Sequence, residues 1–393
     1  MITILKNVDV YSPDNLGRKD IVITGDLIEG LYDHVSVPND FIKMNVVDGN
    51  GQIAVPGFID SHVHILGGGG EGGFHTRTPE IQLSEIILSG ITTIIGCLGT
   101  DGVCRSLHSL YAKAMSLEEE GITTYIYSGS YEIPVKTITG DIKTDLLLIN
   151  KVIGIGEIAL SDHRSSQPLY QNFVKIVADA RVGGILSGKG GIVNVHMGDG
   201  SRQLGYLQRL IAETEIPVTQ VLPTHINRNK SLFNAGIEFS KCGGLLDLTT
   251  SIDDAINDGT QISASAGLRQ LLEKDVPIEQ IQFTSDGQGS LPRFNEKKEF
   301  IGLGVGSVAS LFTEVRKAVL NEKVLLENAL KTITSNVADH LKLETKGRLS
   351  KGKDADVVIM KKDDLKIEHV FAKGQHVVKN GVPIIHGTFE KRA

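Results

Sequence analysis

Cysteine is scarce in this chain: Cys97, Cys104 and Cys242 are the only three in 393 residues. No two of them form a C-x-x-C, and an odd, scattered set is not a disulfide framework. Zinc-ribbon and thiol-redox readings therefore have no support, and a reducing compartment fits. Long apolar runs are also missing, since none approaches the ~18 residues that span a bilayer. The first residues, Met1 to Leu5 followed by Lys6 and Asp9, lack the basic-then-apolar order of a signal peptide. The expectation is a cytoplasmic protein with no membrane partner. Excess positive charge is lacking too. A formal net charge of -7 argues against non-specific nucleic-acid binding, although a local basic patch escapes that count.

What is present is ordinary globular material. Hydrophobic residues make up 40% and charged residues 22%, so the chain can bury a core. Its length suits one large domain plus a smaller one, or two or three average ones. The 44 glycines are somewhat many, as many short strand-to-helix turns require.

Patterning divides the chain. Residues 2–11 and 20–31 alternate apolar and polar positions around a turn at Ser12 to Asn15, which is hairpin patterning. Residues 356–378 look similar. The middle instead alternates short apolar runs with helical stretches. Candidate strands cover 58–63, 92–97, 122–127, 151–156, 191–196, 217–222, 244–248 and 281–285, and helical patterning covers 80–89, 106–119, 170–182, 203–213, 263–273 and 305–319. Strand–helix alternation repeated about eight times predicts an α/β fold with a parallel sheet, and the count favours a (β/α)8 TIM barrel. A doubly wound open sheet is the alternative. The expected layout is a small β-sandwich domain formed from both termini (1–55 plus 347–393) with the barrel (56–346) inserted between.

The informative polar residues fall at predicted strand ends. His62 and His64 end the first candidate strand, Glu157 follows the fourth and His196 ends the fifth. His225 follows the sixth, and Asp286 follows the eighth. In a parallel barrel all strand C-termini share the face where active sites lie. His62 and His64, two apart on a strand, point to one side and can reach one metal. His196 and His225 could hold a second, with Glu157 between them. Imidazole and carboxylate suit zinc, or alternatively manganese, iron or nickel. A single strand-end histidine is ordinarily a hydrogen-bonded structural residue. Four histidines and two acids at the ends of five strands are much harder to explain that way. The other histidines (His34, His75, His108, His163, His340, His369, His376 and His386) lack this placement and read as structural or solvent-facing.

The segment from Val55 to His64, Val-Pro-Gly-Phe-Ile-Asp-Ser-His-Val-His, resembles the first-strand signature of the amidohydrolase superfamily, and Gly347 to Asp356 resembles its return into the small β domain. More closely, the chain resembles the isoaspartyl dipeptidase (β-aspartyl peptidase) family. The matching stretches are Gly67 to Gly73 around Glu71, Gly129 to Tyr131 with Thr137 to Gly140, Ser161 to Arg164, Val195 to Gly200, Pro223 to Arg228, and Ser285 to Ser290. They cover nearly the whole chain in order. The resemblance implies two divalent metal ions, zinc by preference, held by His62, His64, His196, His225 and Asp286. It also implies hydrolysis of the β-aspartyl amide bond of a dipeptide by a hydroxide bridging the metals, releasing aspartate and an amino acid. Asp286 would be ligand and general acid–base, and Tyr131 would hydrogen-bond the oxyanion. Glu71 would hold the substrate ammonium, Arg164 and Arg228 its carboxylates, and Gly69, Thr100 and Ser290 would line the site. A homo-oligomer is implied as well.

One position departs from the family pattern. The family bridges its metals with a carboxylated lysine, and Glu157 aligns with it. Either the glutamate supplies the bridging carboxylate, which needs the strand end closer to the metals, or it does not bridge and the site holds one metal. Rival functions are another amidohydrolase activity (cyclic amidase, deacetylase or deaminase) or a non-catalytic barrel scaffold. Two motifs lead nowhere. Gly183 to Gly190 nearly matches a phosphate-binding loop but lacks the Ser or Thr after Lys189, so it reads as a plain loop. Cys97 and Cys104 flank Thr100, but no base is positioned by motif to make either a nucleophile.

Overall fold

The computed structural model of the chain describes residues 2–38, 44–252, 260–295 and 299–391. Eight parallel strands build the barrel: β1 (Phe58–Val63), β2 (Ile91–Gly96), β3 (Thr123–Ser128), β4 (Val152–Leu160), β5 (Ile192–Met197), β6 (Val221–Thr224), β7 (Leu246–Thr249) and β8 (Ile281–Thr284). Every residue of β1, β2, β4 and β5 is buried, as expected of strands covered on both faces. The alternating β-strand and α-helix order agrees with the predicted barrel.

Strands β1 to β6 form one continuous sheet, and β7 pairs with β8. The two seams between these sheets close differently. At the β1/β8 seam, Val63 bridges Gly287, His64 N donates to Gly287 O at 2.9 Å, and Asp286 N donates to His62 O at 3.1 Å. At the β6/β7 seam Asn227 acts as a substitute strand. Its Nδ2 donates to Thr249 O, and its Oδ1 accepts from Thr249 N, both at 2.9 Å.

Both ends of the chain enter one nine-stranded sheet. Ile2–Tyr11 lies beside Gln52–Pro56, which pairs on its other side with Val357–Lys361. Leu5, Val8, Val10, Ile21, Val357 and Phe371 are among the residues of its core. The segment 20–31 is not one strand, because the chain turns at Gly25 and Asp26 between Asn15–Thr24 and Leu27–Tyr32. The sixth barrel strand also begins later than its apolar run, since Val218–Gln220 forms a 3-10 turn. The supposed loop at Gly183 is partly helical: the helix Tyr170–Ser187 runs through Gly183 and ends at Gly188 in the left-handed region.

Gly57 joins the sheet to β1. A Cβ there would lie 2.8 Å from both Asp356 Cβ and Thr92 Cγ2, so only glycine permits this approach. Nearby, Lys346 Nζ donates to Thr123 Oγ1 at the start of β3 and to Asp356, both at 2.6 Å, and pairs with Asp354 at 2.7 Å. Its side chain is 2% exposed. Burial alone would lower the ammonium pKa, but Asp356 and Asp354 outweigh it and hold it above the ordinary value. A group raised in this way stabilises the fold below its unfolded pKa and loses that contribution as pH climbs through the folded one. Lys346→Met leaves Asp356 buried without its partner and should cost about 3–5 kcal/mol at neutral pH, read by urea denaturation. The variant should also show a shallower loss of stability above pH 10.5. A variant as stable as the parent would mean that this pair does not tie barrel to sheet.

Candidate metal centre and substrate cavity

The barrel brings the six residues together, although Glu157 lies inside β4, three residues before its end at Leu160, and not at the strand end that its apolar run suggested. Glu157 sits at their centre. Its Oε1 lies 3.3 Å from His64 Nε2, and its Oε2 lies 3.3 Å from His62 Nε2, 3.1 Å from His196 Nδ1 and 3.8 Å from His225 Nε2. Asp286 Oδ1 lies 3.0 Å from His64 Nε2 and 3.7 Å from His62 Nε2. His62 is fully buried, yet neither of its ring nitrogens makes a hydrogen bond, and neither does Asp286 Oδ1. Buried polar atoms without partners are costly unless something else satisfies them. Among the described residues, two overlapping groups have the spacing of metal ligands: His62, His64, Cys97 and Glu157, and Glu157, His196 and His225. A divalent metal fits this donor set.

How a glutamate reaches the centre is a matter of local backbone. Between β4 and β5 the register runs Val193↔Ile155 and then Val195↔Ile158. Strand β4 thus spends three residues where β5 spends two, which is a β-bulge at Gly156 and Glu157. The bulge re-aims Glu157 inward and brings the shorter carboxylate to the centre. It requires glycine before it. Gly156 has φ 150°, and a Cβ there would lie 2.9 Å from Asn194 Cβ and from Asn194 O.

Charge follows the geometry. Burial alone would raise the Glu157 carboxyl pKa, but the imidazoles of His62, His196 and His225 hold it well below the ordinary range. Burial, then His196, push the His225 imidazole down to about 3. His225 is therefore neutral, the state in which imidazole binds a metal. Its Nδ1 lies 2.6 Å from Thr249 Oγ1, which orients the ring. His196 is fixed similarly, with Nε2 3.0 Å from Asp162 Oδ2.

Above this floor opens a cavity of about 470 Å³. Its walls include Gly69, Glu71, Thr100, Tyr131, Arg164, Arg228 and Ser290 beside His64, His196, His225 and Asp286. His62 and Glu157 lie beneath the floor. Glu71 accepts from Thr100 Oγ1 at 3.1 Å and Ser290 Oγ at 3.0 Å, and pairs with Arg164 Nη1 at 3.3 Å. Arg164 is held from behind by Asp162, with Nη2 to Oδ2 at 2.8 Å, and lies over the Tyr131 ring at 5.6 Å. Arg228 Nε is buried without a partner. The Tyr131 hydroxyl lies 2.9 Å from His196 Nδ1.

The fold has known counterparts. The β-aspartyl dipeptidase of the thermophilic keratin-degrading Fervidobacterium islandicum AW-1, solved in complex with β-Asp-Leu dipeptide, is 46% identical with a TM-score of 0.91. The match covers 98% of this chain and 98% of that one. The chain belongs to the isoaspartyl dipeptidase family of the amidohydrolase superfamily. The Amidohydrolase family model matches residues 217–381. Dihydropyrimidinase from Brevibacillus agri NCHU1002 shares the fold, with 15% identity and a TM-score of 0.68 over 98% of this chain and 97% of that one. Among curated relatives, adenine deaminase of Bacillus velezensis is 36% identical over 97 residues, 24% of this chain. The match spans only 14% of the deaminase's length. Membership makes this family chain a hydrolase. Among the described residues no helix is long and apolar enough to cross a membrane.

Three features of the site escaped the sequence. Asp162 lies inside the quoted stretch Ser161 to Arg164, where only the arginine drew notice, yet it holds both His196 and Arg164. His163, set aside with the structural histidines, lines the cavity. Cys97 is not remote from a base, since its Sγ lies 3.9 Å from His64 Nδ1. The signal for Cys97 was its position directly after β2, at the C-terminal end of the barrel strands. The bulge generates a test. Gly156→Ala should destabilise the protein by about 1–3 kcal/mol in urea denaturation through the strained conformation and overpacking against Asn194. An unchanged midpoint would remove the steric argument for glycine.

Proposed function

We propose that the chain is a metal-dependent hydrolase of β-aspartyl dipeptides, releasing aspartate and an amino acid. The observation that carries this reading is the charge set of the cavity. Glu71 and two guanidinium groups, Arg164 and Arg228, line the space above the histidine–carboxylate cluster, with Asp162, already paired to Arg164, and Asp199 also in the wall. A β-aspartyl dipeptide carries one ammonium and two carboxylates, which Glu71 and the two arginines complement in sign. The β-Asp-Leu complex of the Fervidobacterium relative supports the same substrate class.

His62, His64 and Asp286 would hold one metal ion, His196 and His225 a second, and Glu157 would serve both. Zinc is the proposed metal because imidazole and carboxylate are its usual ligands. Metal ions at such a pair of sites supply Lewis acidity and a water acidic enough to ionise near neutral pH. The chain's own residues do the rest. Glu71 takes the substrate ammonium, while Arg164 and Arg228 take the carboxylates, so the side-chain amide is set over the floor. Burial would raise the Asp286 pKa, but the His64 imidazole, then His62, hold it below the ordinary value. Asp286 is thus ionised and able to accept the proton of the attacking water, then to pass it to the leaving amine. Burial, then Glu157, push the Tyr131 hydroxyl well above its ordinary pKa. It therefore stays protonated and donates to the carbonyl oxygen as negative charge develops there. The free thiols of Cys97, Cys104 and Cys242 suit a reducing, cytoplasmic setting, and the family likeness adds a homo-oligomeric assembly to the proposal.

The decisive assay compares β-Asp-Leu with α-Asp-Leu, with metal content measured on the same sample. Cleavage of the β-linked peptide alone is expected, and it should stop on chelation. Failure to cleave either peptide when metal-loaded would turn attention to a cyclic amidase, deacetylase or deaminase activity. Asp286→Asn should lower kcat by about 10²–10⁴ while much of the metal stays bound, and near-normal turnover would sink the proton-transfer role. Tyr131→Phe should lower kcat by about 10²–10³ with little change in KM. The opposite split would make Tyr131 a binding residue instead.

A further inference from the structure

We propose that Cys97 is a metal ligand, making the pocket of His62 and His64 a nitrogen, oxygen and sulfur site. This deepens the metal-hydrolase reading and rests on it. The Cys97 side chain is fully buried one residue past the end of β2. A ligand atom from each of His62, His64, Cys97 and Glu157 lies within 4.8 Å of the others. Atoms bound to one zinc ion at about 2.0–2.3 Å must lie within such a span. The thiol has only weak partners of its own, with Sγ 3.7 Å from Val63 O and 3.9 Å from His64 Nδ1.

An independent observation points the same way. His62 is fully buried beside this sulfur, and both of its ring nitrogens lack hydrogen-bond partners. An orphaned imidazole, a carboxylate and a sulfur converging at one buried point are poorly explained by packing alone. A cysteine kept only for its size would sit equally well among apolar neighbours. Sulfur ligation has a consequence for selectivity. It favours zinc and cobalt over manganese or magnesium, which prefer oxygen donors.

The test uses cobalt as a spectroscopic probe in the full-length protein. Cys104 and Cys242 are exposed, so both are first replaced by serine to leave Cys97 as the single thiol. Metal-free protein is then loaded with Co²⁺. A near-ultraviolet sulfur-to-cobalt charge-transfer band is expected. It should vanish in the further variant Cys97→Ser, which should also bind one metal equivalent at least about tenfold more weakly, the least that loss of an outer partner costs. Cobalt binding with visible ligand-field bands but no charge-transfer band overturns the cysteine assignment and leaves the hydrolase reading intact. A charge-transfer band that survives Cys97→Ser overturns it as well. Absence of any cobalt binding by the wild-type chain overturns both. The first spectrum needs no substitution at Cys97, so a poorly folding Cys97→Ser does not remove the test.

Discussion

A carboxylate buried among four imidazoles is the constraint on which the rest of this structure turns. Glu157 is 1% exposed and lies within 3.8 Å of His62, His64, His196 and His225. An isolated ion in that position would be prohibitively costly. The fold makes it tolerable by delivering partners from three other strands to one point. That delivery depends on closure of the barrel. The bonds from His64 N to Gly287 O and from Asp286 N to His62 O set the first strand against the last. They also lock two proposed ligands to a third. Asn227 performs the corresponding closure beside His225.

Around this centre the side chains are held by neighbours that do not themselves reach the floor. Asp162 faces His196 on one side and Arg164 on the other. Thr249 fixes His225, and its backbone is clasped by Asn227. Arg164 is restrained further by Glu71 and by the Tyr131 ring. The proposed metal ligands and substrate-binding groups are therefore linked through a few buried polar contacts. Such linkage limits reorganisation when a charged substrate enters, which is how preorganised sites gain both affinity and rate.

Much of the architecture was legible because its signals are local. Short apolar runs separated by helical periodicity mark strands buried on both faces, and seven of the eight barrel strands begin within two residues of where those runs place them. The exception is β6. Its apolar stretch starts at Pro217 and is first spent on a 3-10 turn, because an apolar run shows burial but not which backbone conformation achieves it. Likewise, alternation over 20–31 hides a turn at Gly25, since a tight turn preserves the alternation on either side.

The candidate ligands were legible for a related reason. Strand ends are a local property, and in a parallel barrel every C-terminal end reaches the same face, so His62, His64, Glu157, His196, His225 and Asp286 could be grouped without coordinates. By itself the sequence determined residue type, strand-end position and the charge available to a substrate. Only the tertiary structure decided the distances. The bulge that brings Glu157 to the centre exists in the register of β4 against β5, and neither strand alone reveals it. The sulfur of Cys97 meets His64 across adjacent strands. Asp162 joins a histidine 34 positions away. Each is a contact between segments separated along the chain, and it comes into being when the strands are ordered around the barrel.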